Sequence, residues 1–480
     1  MKKRDGLVLL AVTCVLGLIT VQTTNGQSGP FVWTQNLSNN ARIYAIAVHP
    51  TDPGIIYVAG LDSGVYKTTN AGLSWSAVNS GLAYNKVQAL AISPSSPNIL
   101  YAGTDQNGGS NSGMYITTNA GGSWALINNG ITDSKGIQAI VVNPSDPNTA
   151  IIAVFDGLVN STVGLFKTTN AGGTWFAANA GVGPIKNFLS LALNPLNGNT
   201  IYAGTSFNPS TSRGPSALYK STDGGQSWVL SNSGLPKDTL TIDPIRAISV
   251  STLDTSVVLT ALFVNDTAGG VFLSTNGGEN WQKKHSGLPT VTGTLVRACL
   301  IRPGSVTEFF VGLDGGGTTS RGVWRTTNGG GSWLDFNGGA LINTYTVRTL
   351  GFKTLEDSTL FAGAATATPP GQGVFEYSWL STGITNGDNK VGAQIFDLLQ
   401  NYPNPFNPTT RIGFQIANGA WVSLRVFDLL GREVSTLVNE QMKPGRYEVT
   451  FDGSALASGV YYYRLEAGPS VTMKKLLLLR

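Results

Sequence analysis

The chain has 480 residues, of which 60 are glycine, 41% are hydrophobic and only 12% are charged. This composition excludes a disordered chain and a helical bundle, and it favours a turn-rich β structure. The formal net charge of +4 comes from the two ends of the chain. Because the span between them is neutral and shows no Lys/Arg cluster, we expect no nucleic-acid partner.

The N-terminus has the pattern of an export signal. A basic KKR sequence precedes an apolar run from Leu7 to Val21, which is short for a membrane span. Cys14 lies inside this run, where a lipoprotein cysteine is the alternative to an ordinary signal-peptide residue. We predict a signal peptide over residues 1–26 and no transmembrane segment in the mature chain.

Metal and disulfide chemistry lack the necessary residues. Once the signal is removed, Cys299 is the only cysteine, and the chain has two histidines. A single cysteine cannot form an intrachain disulfide, and a Cys/His zinc site has too few ligands. The sequence therefore predicts no metal and no cofactor.

A nine-residue turn, "KTTNAGGTW" in its clearest copy, recurs six times with a period of about fifty residues. Each copy lies in a longer unit that reads as four short strands separated by turn residues. Repeated four-stranded units of this length are typical of β-propeller blades. The Asn or Asp and the Trp of the six copies are Asn70, Trp75, Asn119, Trp124, Asn170, Trp175, Asp223, Trp228, Asn276, Trp281, Asn328 and Trp333.

A seventh unit begins near Val347 and lacks the turn and a fourth strand of its own. The best candidate for that strand is the segment from Phe31. Its Trp33 and Asn36 correspond to Trp124 and Asn128 in the fourth strand of a complete unit. Pairing it into the last unit would close a ring without leaving a free sheet edge. We predict an all-β chain with a seven-bladed β-propeller over residues 27–380.

The repeat resembles the Asp-box, or bacterial neuraminidase repeat, whose pattern is Ser/Thr-x-Asp-x-Gly-x-x-Trp. Only Asp223 keeps the aspartate of that pattern. The family spans sialidases, xyloglucanases, sortilin-like receptors and photosystem assembly factors. The resemblance thus implies the propeller fold and leaves the chemistry open.

The repeated turn is expected to be structural. Its Asn or Asp can accept backbone hydrogen bonds, its Gly supplies a positive φ, and its Trp can bury about 150–250 Å². A ligand site would have to leave much of that apolar surface exposed in the free protein. A sixfold sugar or metal site is the alternative.

The loops between the second and third strands vary in sequence and length, which makes them the candidate position of a binding site. Four of these loops begin with an aspartate at the same place, and a fifth has an aspartate close to that place. If the strand register is right, these carboxylates ring one mouth of the propeller channel, where they would bind a glycan, a cation or a basic partner, or else start Asx turns. The candidates are Asp62, Asp105, Asp156, Asp266 and Asp314.

A hydrolase is the main alternative to a binding protein. Glycoside hydrolysis needs two carboxylates at a defined separation, one with a raised pKa, and no such pair stands out among the loop acids. Sialidases also use three arginines and a Phe/Tyr-Arg-Ile-Pro segment, which neither Arg42 nor Arg302 matches. Xyloglucanases of the family hold substrate between two tandem propellers, and here there is one.

The repeat pattern stops before a polar linker, residues 381–400, and residues 401–480 read as a small immunoglobulin-like β-sandwich. This span resembles the type A C-terminal sorting domain of the type IX secretion system of Bacteroidota and related bacteria. An ordinary adhesion domain is the alternative. The resemblance is carried by Asn401, Tyr402, Pro403, Asn404, Pro405, Phe406, Asn407, Pro408, Gly459, Tyr461, Lys474 and Lys475.

Together these features predict a monomer, secreted or fixed to the outer-membrane surface of a Gram-negative bacterium, whose partner in export is the type IX machinery. We expect non-catalytic binding of a glycan or protein through the variable-loop face. A secreted glycoside hydrolase of sialidase-like or xyloglucanase-like type and a structural envelope or adhesion component are the alternatives.

Overall fold

The computed structural model shows an all-β protein. It describes residues 33–37, 41–131, 136–155, 163–183, 186–206, 217–236, 244–262, 270–289, 295–314, 321–337, 342, 345–353, 359–365, 373–378, 397–398, 401, 404, 406–416, 419–443, 445–468 and 470–479. The predicted signal peptide and most of the predicted linker lie outside these residues. The prediction of an all-β chain built from four-stranded antiparallel units is confirmed.

Twenty-eight strands and one 3-10 helix, Gln106–Asn111, precede the C-terminal region among the described residues. The strands are β1 (Trp33–Leu37), β2 (Ile43–Val48), β3 (Ile56–Gly60), β4 (Gly64–Thr68), β5 (Ser76–Ala77), β6 (Val87–Ile92), β7 (Leu100–Thr104), β8 (Met114–Thr117), β9 (Ala125–Leu126), β10 (Gly136–Val142), β11 (Ala150–Phe155), β12 (Leu165–Thr168), β13 (Phe176–Ala177), β14 (Phe188–Asn194), β15 (Asn197–Thr205), β16 (Leu218–Ser221), β17 (Val229–Leu230), β18 (Ile245–Val250), β19 (Val258–Leu262), β20 (Gly270–Ser274), β21 (Gln282–Lys283), β22 (Leu295–Ile301), β23 (Phe309–Asp314), β24 (Gly322–Thr326), β25 (Leu334–Asp335), β26 (Val347–Phe352), β27 (Thr359–Ala364) and β28 (Gly373–Ser378).

These strands form seven four-stranded antiparallel sheets in the described residues. Six sheets use four consecutive strands, from β2–β5 to β22–β25, and the seventh has the order β1-β28-β27-β26. The first strand of each sheet lies against the first strands of its two neighbours, and β26 lies against both β22 and β2. The first strands therefore follow one another around a closed circuit.

The burial pattern explains this arrangement. The second strands are buried along most of their length, and β3 and β7 at every position, because neighbouring sheets cover both of their faces. The fourth strands of the first six sheets have two residues each, and all of these are exposed. Apolar cores lie between adjacent sheets, as where Tyr57 packs in one cluster with Leu100 and Trp124.

The N-terminal strand β1 pairs with β28 and supplies the outer strand of the seventh sheet. Thr34 pairs with Glu376 as Ala125 pairs with Ile116 in the second sheet, so Trp33 has the register of Trp124, although Trp33 is already paired, with Tyr377. A bulge between Gln35 and Leu37 then changes the register. The carbonyl oxygen of Leu37 lies against Gly373, at the place where the Asn128 side chain lies against Gly113.

The C-terminal region contains two antiparallel sheets, of order β29-β30-β33 and β32-β31-β34-β35. Buried residues of both sheets, including Phe414, Leu424 and Tyr463, form one apolar core, so the two sheets pack face to face. The strands are β29 (Asp397–Leu398), β30 (Thr409–Ile416), β31 (Ala420–Phe427), β32 (Glu433–Met442), β33 (Gly445–Asp452), β34 (Gly459–Ala467) and β35 (Ser470–Leu478).

Candidate functional site

The repeated turn satisfies its own polar groups. In the copy that ends at Trp175, the hydroxyl of Thr168 donates to Asn170 Oδ1 at 2.9 Å and accepts from the Gly172 amide at 2.9 Å. The same Asn170 oxygen accepts from the Thr174 amide at 2.9 Å. In the copy that keeps the aspartate, hydrogen bonds led by that from the Ser227 hydroxyl lower the pKa of Asp223. The side-chain acceptors of the turn are thus occupied within it.

The tryptophan that ends each turn contacts the preceding sheet. Trp228 Nε1 donates to the carbonyl of Ala178 at 2.9 Å, and its backbone amide donates to Ala180 at 2.9 Å. Gly181 permits this approach, because its φ is +81° and an added Cβ would lie 2.2 Å from the Trp228 carbonyl oxygen. Equivalent indole bonds to a preceding sheet are made by Trp124, Trp175, Trp281 and Trp333, whereas Trp75 bonds to Gly72 in its own turn.

Three of the five candidate loop acids are described, namely Asp62, Asp105 and Asp314, while Asp156 and Asp266 lie outside the described residues. Asp62 and Asp105 follow the second strands β3 and β7, and Asp314 is the last residue of the second strand β23, so all three lie at the end of the sheet where the first strand begins. This end is opposite the repeated turns, since those join the third strand to the fourth.

Asp62 and Asp105 both have close polar partners. Asp62 Oδ2 lies 2.6 Å from Arg42 Nη2 in a largely exposed ion pair. The hydroxyl of Tyr84 donates to Asp105 Oδ1 at 2.7 Å. Burial opposes ionisation of Asp105, but hydrogen bonds from Asn107 and Tyr84 outweigh it, and the pKa of this carboxyl lies below its usual range. Burial, with help from the Asp105 hydrogen bond, raises the pKa of Tyr84 to about 12.

Asp314 is bound more firmly. It accepts from Arg297 Nη2 at 2.8 Å and from the hydroxyl of Thr346 at 2.7 Å. Burial raises its pKa, but these hydrogen bonds and the arginine charge prevail, so the pKa of Asp314 is lowered. An ionised, paired carboxylate is a poor proton donor at neutral pH.

The structure adds a feature that the sequence analysis missed: three arginines meet inside the circuit of first strands. Arg246, Arg297 and Arg348 follow Ile245, Val296 and Val347 near the start of three successive first strands. They line a cavity of about 200 Å³, which we call the channel. These residues stand 51 positions apart in the chain, so they form no cluster in the sequence, and only the structure brings them together.

The electrostatics of the channel reflect partial burial of like charges. Burial, followed by the nearby charges of Arg297 and Arg348, lowers the pKa of Arg246 to about 10. Burial also lowers the pKa of Arg348, whose guanidinium lies 4.5 Å from the centre of the Tyr44 ring. Among the described residues, no three His, Cys, Asp or Glu side chains are grouped as a metal site requires.

In the C-terminal region, the described motif residues hold its leading segment against the last strand. Asn404 Oδ1 accepts from the Leu477 amide at 2.8 Å, and the buried Phe406 forms a parallel bridge with Leu478. The Asn401 amide donates to the hydroxyl of Tyr463 at 2.8 Å.

The remaining described motif residues lie in the same two-sheet region. Asn407 and Pro408 are exposed just before β30, and the Pro408 carbonyl accepts from the Gly453 amide at 2.8 Å. Gly459 and Tyr461 lie in β34, and Lys474 and Lys475 lie in β35. Tyr402, Pro403 and Pro405 lie outside the described residues.

The comparison with known protein families supports the resemblance of the C-terminal region to a sorting domain. Residues 400–479 match the family described as the secretion system C-terminal sorting domain. This segment is a sorting domain. Such a tail marks a chain that is secreted or displayed at the cell surface, and it points to the type IX secretion machinery as the partner. No helix in the described part of the chain is long and apolar enough to cross a membrane.

The chain is also similar to larger proteins. A xyloglucanase of Hypocrea jecorina is 26% identical over an alignment of 310 residues, gaps included, that covers 58% of this chain and 35% of that enzyme. An ancestral GH74 enzyme superposes with a TM-score of 0.52 at 17% identity, covering 94% of this chain and 64% of the enzyme.

PorZ of Porphyromonas gingivalis, a surface component of the type IX secretion system, superposes with a TM-score of 0.50 at 15% identity, covering 92% of this chain and 60% of PorZ. At these identities, the GH74 enzyme and PorZ show a shared propeller-like fold. The chain spans less than two thirds of the length of each of the three relatives.

Proposed function

We propose that the chain is a seven-bladed β-propeller with an immunoglobulin-like sorting domain, exported by the type IX system, that binds a glycan or protein without catalysis. The binding face carries the loops between second and third strands and the open end of the channel. The repeated turns of the opposite face are Asp-box turns with a structural role. The protein acts as a monomer, secreted or held at the outer-membrane surface.

The pairing of the described loop acids carries this proposal. A glycosidase acid needs a raised pKa, whereas the pKa values of Asp105 and Asp314 are both lowered. Asp62 is held by Arg42. Carboxylates in ion pairs and hydrogen bonds at the rim of a channel suit recognition of a ligand better than proton transfer.

A glycoside hydrolase is the second candidate, and the similarity to a xyloglucanase favours it. That similarity covers about a third of the enzyme. A structural role in the cell envelope is the third candidate, which the propeller-like likeness to PorZ favours.

The test combines binding with product analysis. The purified full chain is applied to glycan and peptide arrays, and every bound glycan is then assayed for release of reducing sugar. We expect binding without release. Substitution Asp62→Asn on the loop face should weaken capture, while Gln226→Ala, at an exposed residue of a repeated turn, should leave it unchanged. Sugar release would establish the hydrolase, and absence of any ligand on both arrays would refute the binding function.

Export has a separate test. In a host with the type IX machinery, deletion of residues 401–480 should leave the protein in the periplasm, and the full chain should reach the medium or the cell surface. Normal export of the truncated chain would contradict the assignment of the sorting domain to this route.

A further inference from the structure

The third and fourth sheets leave a cavity between them at the end that carries the repeated turns. Its volume is about 110 Å³, and Ile151, Lys167 and Gly224 are among the residues that line it. We propose that this cavity, which we call the turn-end cavity, binds the ring of a phenol, either a free small phenol or the tyrosine side chain of a peptide. The site lies opposite the loop face and does not rest on the proposed function.

The fourth sheet shows how a tyrosine closes the next interface along the circuit. Tyr202 pairs across its sheet with Lys220, and both side chains donate to the Gly277 carbonyl in the turn of the fifth sheet, at 2.9 Å and 2.7 Å respectively. The Lys220 ammonium lies 5.9 Å from the centre of the Tyr202 ring, within the range of a cation–π contact. A phenol ring, its hydroxyl and a lysine therefore close this interface together.

The first sheet repeats the arrangement. Tyr57 pairs with Lys67, and both side chains donate to the Ala120 carbonyl of the second sheet, at 3.1 Å and 3.2 Å respectively. The Lys67 ammonium lies 5.2 Å from the centre of the Tyr57 ring. Ala120 and Gly277 each follow the asparagine of their turn. The two interfaces thus place the phenol hydroxyl on the same carbonyl of the turn.

The third sheet keeps the lysine and the carbonyl but has no tyrosine between them. Ile151 pairs with Lys167 at the position that tyrosine takes in the first and fourth sheets, and Lys167 Nζ donates to the Gly224 carbonyl at 2.7 Å. A carbonyl oxygen has two lone pairs, and Lys167 is the one donor to Gly224 within the described part of the chain. Because isoleucine has neither a ring nor a hydroxyl, the acceptor and the space beside it are left for a ligand.

The walls of the turn-end cavity suit a ring with one polar end. Its apolar lining includes Val141, Ala150, Ile151, Leu193 and Ile201. The exposed Asn199 and Gln226 also line it, so the cavity is reached from solvent. An apolar cavity of about 150 Å³ can hold benzene, and the turn-end cavity of about 110 Å³ fits one ring that extends towards its opening. Against this aliphatic wall a sugar ring would leave hydroxyls without partners.

The probe is p-cresol, which carries the ring and the hydroxyl of a tyrosine side chain. Binding to the full chain is measured by ligand-observed NMR titration, and we expect a Kd of about 1 mM, as befits a ligand of this size. Toluene, which lacks the hydroxyl, should bind about fivefold more weakly through loss of one hydrogen bond. 4-Methylcyclohexanol keeps the hydroxyl but is not aromatic, and it should bind about threefold more weakly through loss of the cation–π contact with Lys167.

The variant Ile151→Tyr supplies the ring from the chain itself. It should raise the melting temperature and weaken p-cresol binding by about tenfold or more, since the new side chain and the ligand compete for the same densely packed space. Val229→Tyr, which adds a tyrosine at an exposed position of the fourth sheet, should change neither the melting temperature nor the binding.

A second variant creates the same site at another interface. Tyr202→Ile removes the ring between the fourth and fifth sheets and keeps Lys220 and the Gly277 carbonyl. Saturating p-cresol should raise the melting temperature of this variant by more than that of the wild type, because the variant binds the ligand at two interfaces. This readout does not depend on the folding of Ile151→Tyr.

N-Acetyl-tyrosinamide identifies the source of the ring. Binding at least as tight as that of p-cresol would assign the site to a tyrosine side chain of a peptide, and weaker binding would assign it to a free phenol, both within the proposal. Binding of toluene equal to that of p-cresol would overturn the role of the Gly224 carbonyl. Equal binding of 4-methylcyclohexanol would overturn the aromatic part, and tighter binding of methyl glucoside would overturn the ligand class.

The site itself is overturned by any of three results: no binding of p-cresol, unchanged binding in Ile151→Tyr, or no additional stabilisation of Tyr202→Ile. Array binding and its loss in Asp62→Asn are measured separately at the loop face. The proposed function therefore stands or fails independently of the turn-end cavity.

Discussion

Arg297 donates to the same oxygen of Asp314 from Nη2 at 2.8 Å and from Nε at 3.0 Å. The side chains are only 15% and 21% exposed, respectively, so this pair is shielded from bulk water. It fixes one of the three channel arginines, while the other two have no carboxylate of their own among the described side chains. The pair therefore sets the net charge of the channel.

Substitution Asp314→Asn should leave Arg297 with a neutral partner and add one positive charge to the channel. We expect a loss of about 2 kcal/mol in the free energy of unfolding, less than for a fully buried pair because both side chains keep some solvent contact. Urea denaturation measures this loss. Asp62→Asn, in the exposed pair with Arg42, should cost less than about 1 kcal/mol.

The same pair predicts an acid dependence. Because the pKa of Asp314 is lowered in the folded state, its contribution to stability is present above the unfolded carboxyl pKa of about 4 and is lost as the pH falls through the folded value. Between pH 5 and pH 2 the wild type should lose more stability than Asp314→Asn. Parallel losses in the two proteins would contradict the assigned pairing.

His285→Asn should stabilise the fifth sheet. In five sheets an asparagine at this position accepts from the first amide of the third strand, as Asn79 does from Val65 at 2.7 Å and Asn232 from Leu218 at 2.7 Å. Both ring nitrogens of His285 are buried and have no hydrogen-bond partner among the described residues. An asparagine can accept from the Val271 amide, and we expect a gain of about 1 kcal/mol in urea denaturation. The reverse change, Asn232→His, should destabilise the fourth sheet by a similar amount.

His285 also predicts a pH dependence near neutrality. Burial, and then the charge of Lys283, lowers the pKa of His285 below 6.5. Stability should therefore be full above the unfolded pKa of about 6.5 and fall as the pH drops through the folded value. Melting temperatures from pH 7.5 to pH 5 measure this loss, which His285→Asn should remove. A wild type and variant with identical profiles would show that His285 is not the group responsible.

Trp228 should contribute more to stability than Trp75, although both end a repeated turn. Trp228 is 2% exposed and bonds to the neighbouring sheet, whereas Trp75 is less buried and bonds within its turn. Trp228→Phe should cost about 1 kcal/mol or more through the lost hydrogen bond, and Trp228→Ala about 3–5 kcal/mol through the cavity. Trp75→Phe should cost less than Trp228→Phe. Equal losses of stability at the two positions would show that the hydrogen bond of Trp228 to the neighbouring sheet adds nothing to stability.

Phe406 should hold the leading segment of the sorting domain. It is 2% exposed, bridges Leu478 and packs 5.8 Å from the ring of Phe451. Phe406→Ala should cost about 3–5 kcal/mol and make residues 401–408 accessible to limited proteolysis. Asn407→Ala, at an exposed neighbour, serves as the control. Unchanged protease resistance of Phe406→Ala would refute this role.

The sequence by itself determined the local features of this protein. The period of the turn predicted four-stranded antiparallel units, because Thr168, Asn170 and Gly172 interact within five residues and need no distant partner. The common loop position likewise placed Asp62 and Asp105 after second strands, and it missed by one residue at Asp314, which ends its strand. The residues from Asn401 onward carried the sorting-domain resemblance, which the family match bears out.

Only the tertiary structure decided which side chains of neighbouring sheets contact one another. The Trp228 indole reaches the sheet before its own, and His285 lacks the hydrogen bond that asparagine makes elsewhere. Arg246, Arg297 and Arg348 appear as isolated charges in a neutral span, 51 residues apart, and they share a cavity because the first strands lie side by side around the circuit. A repeat period records contacts within one unit, whereas the charge of the channel depends on how neighbouring units pack.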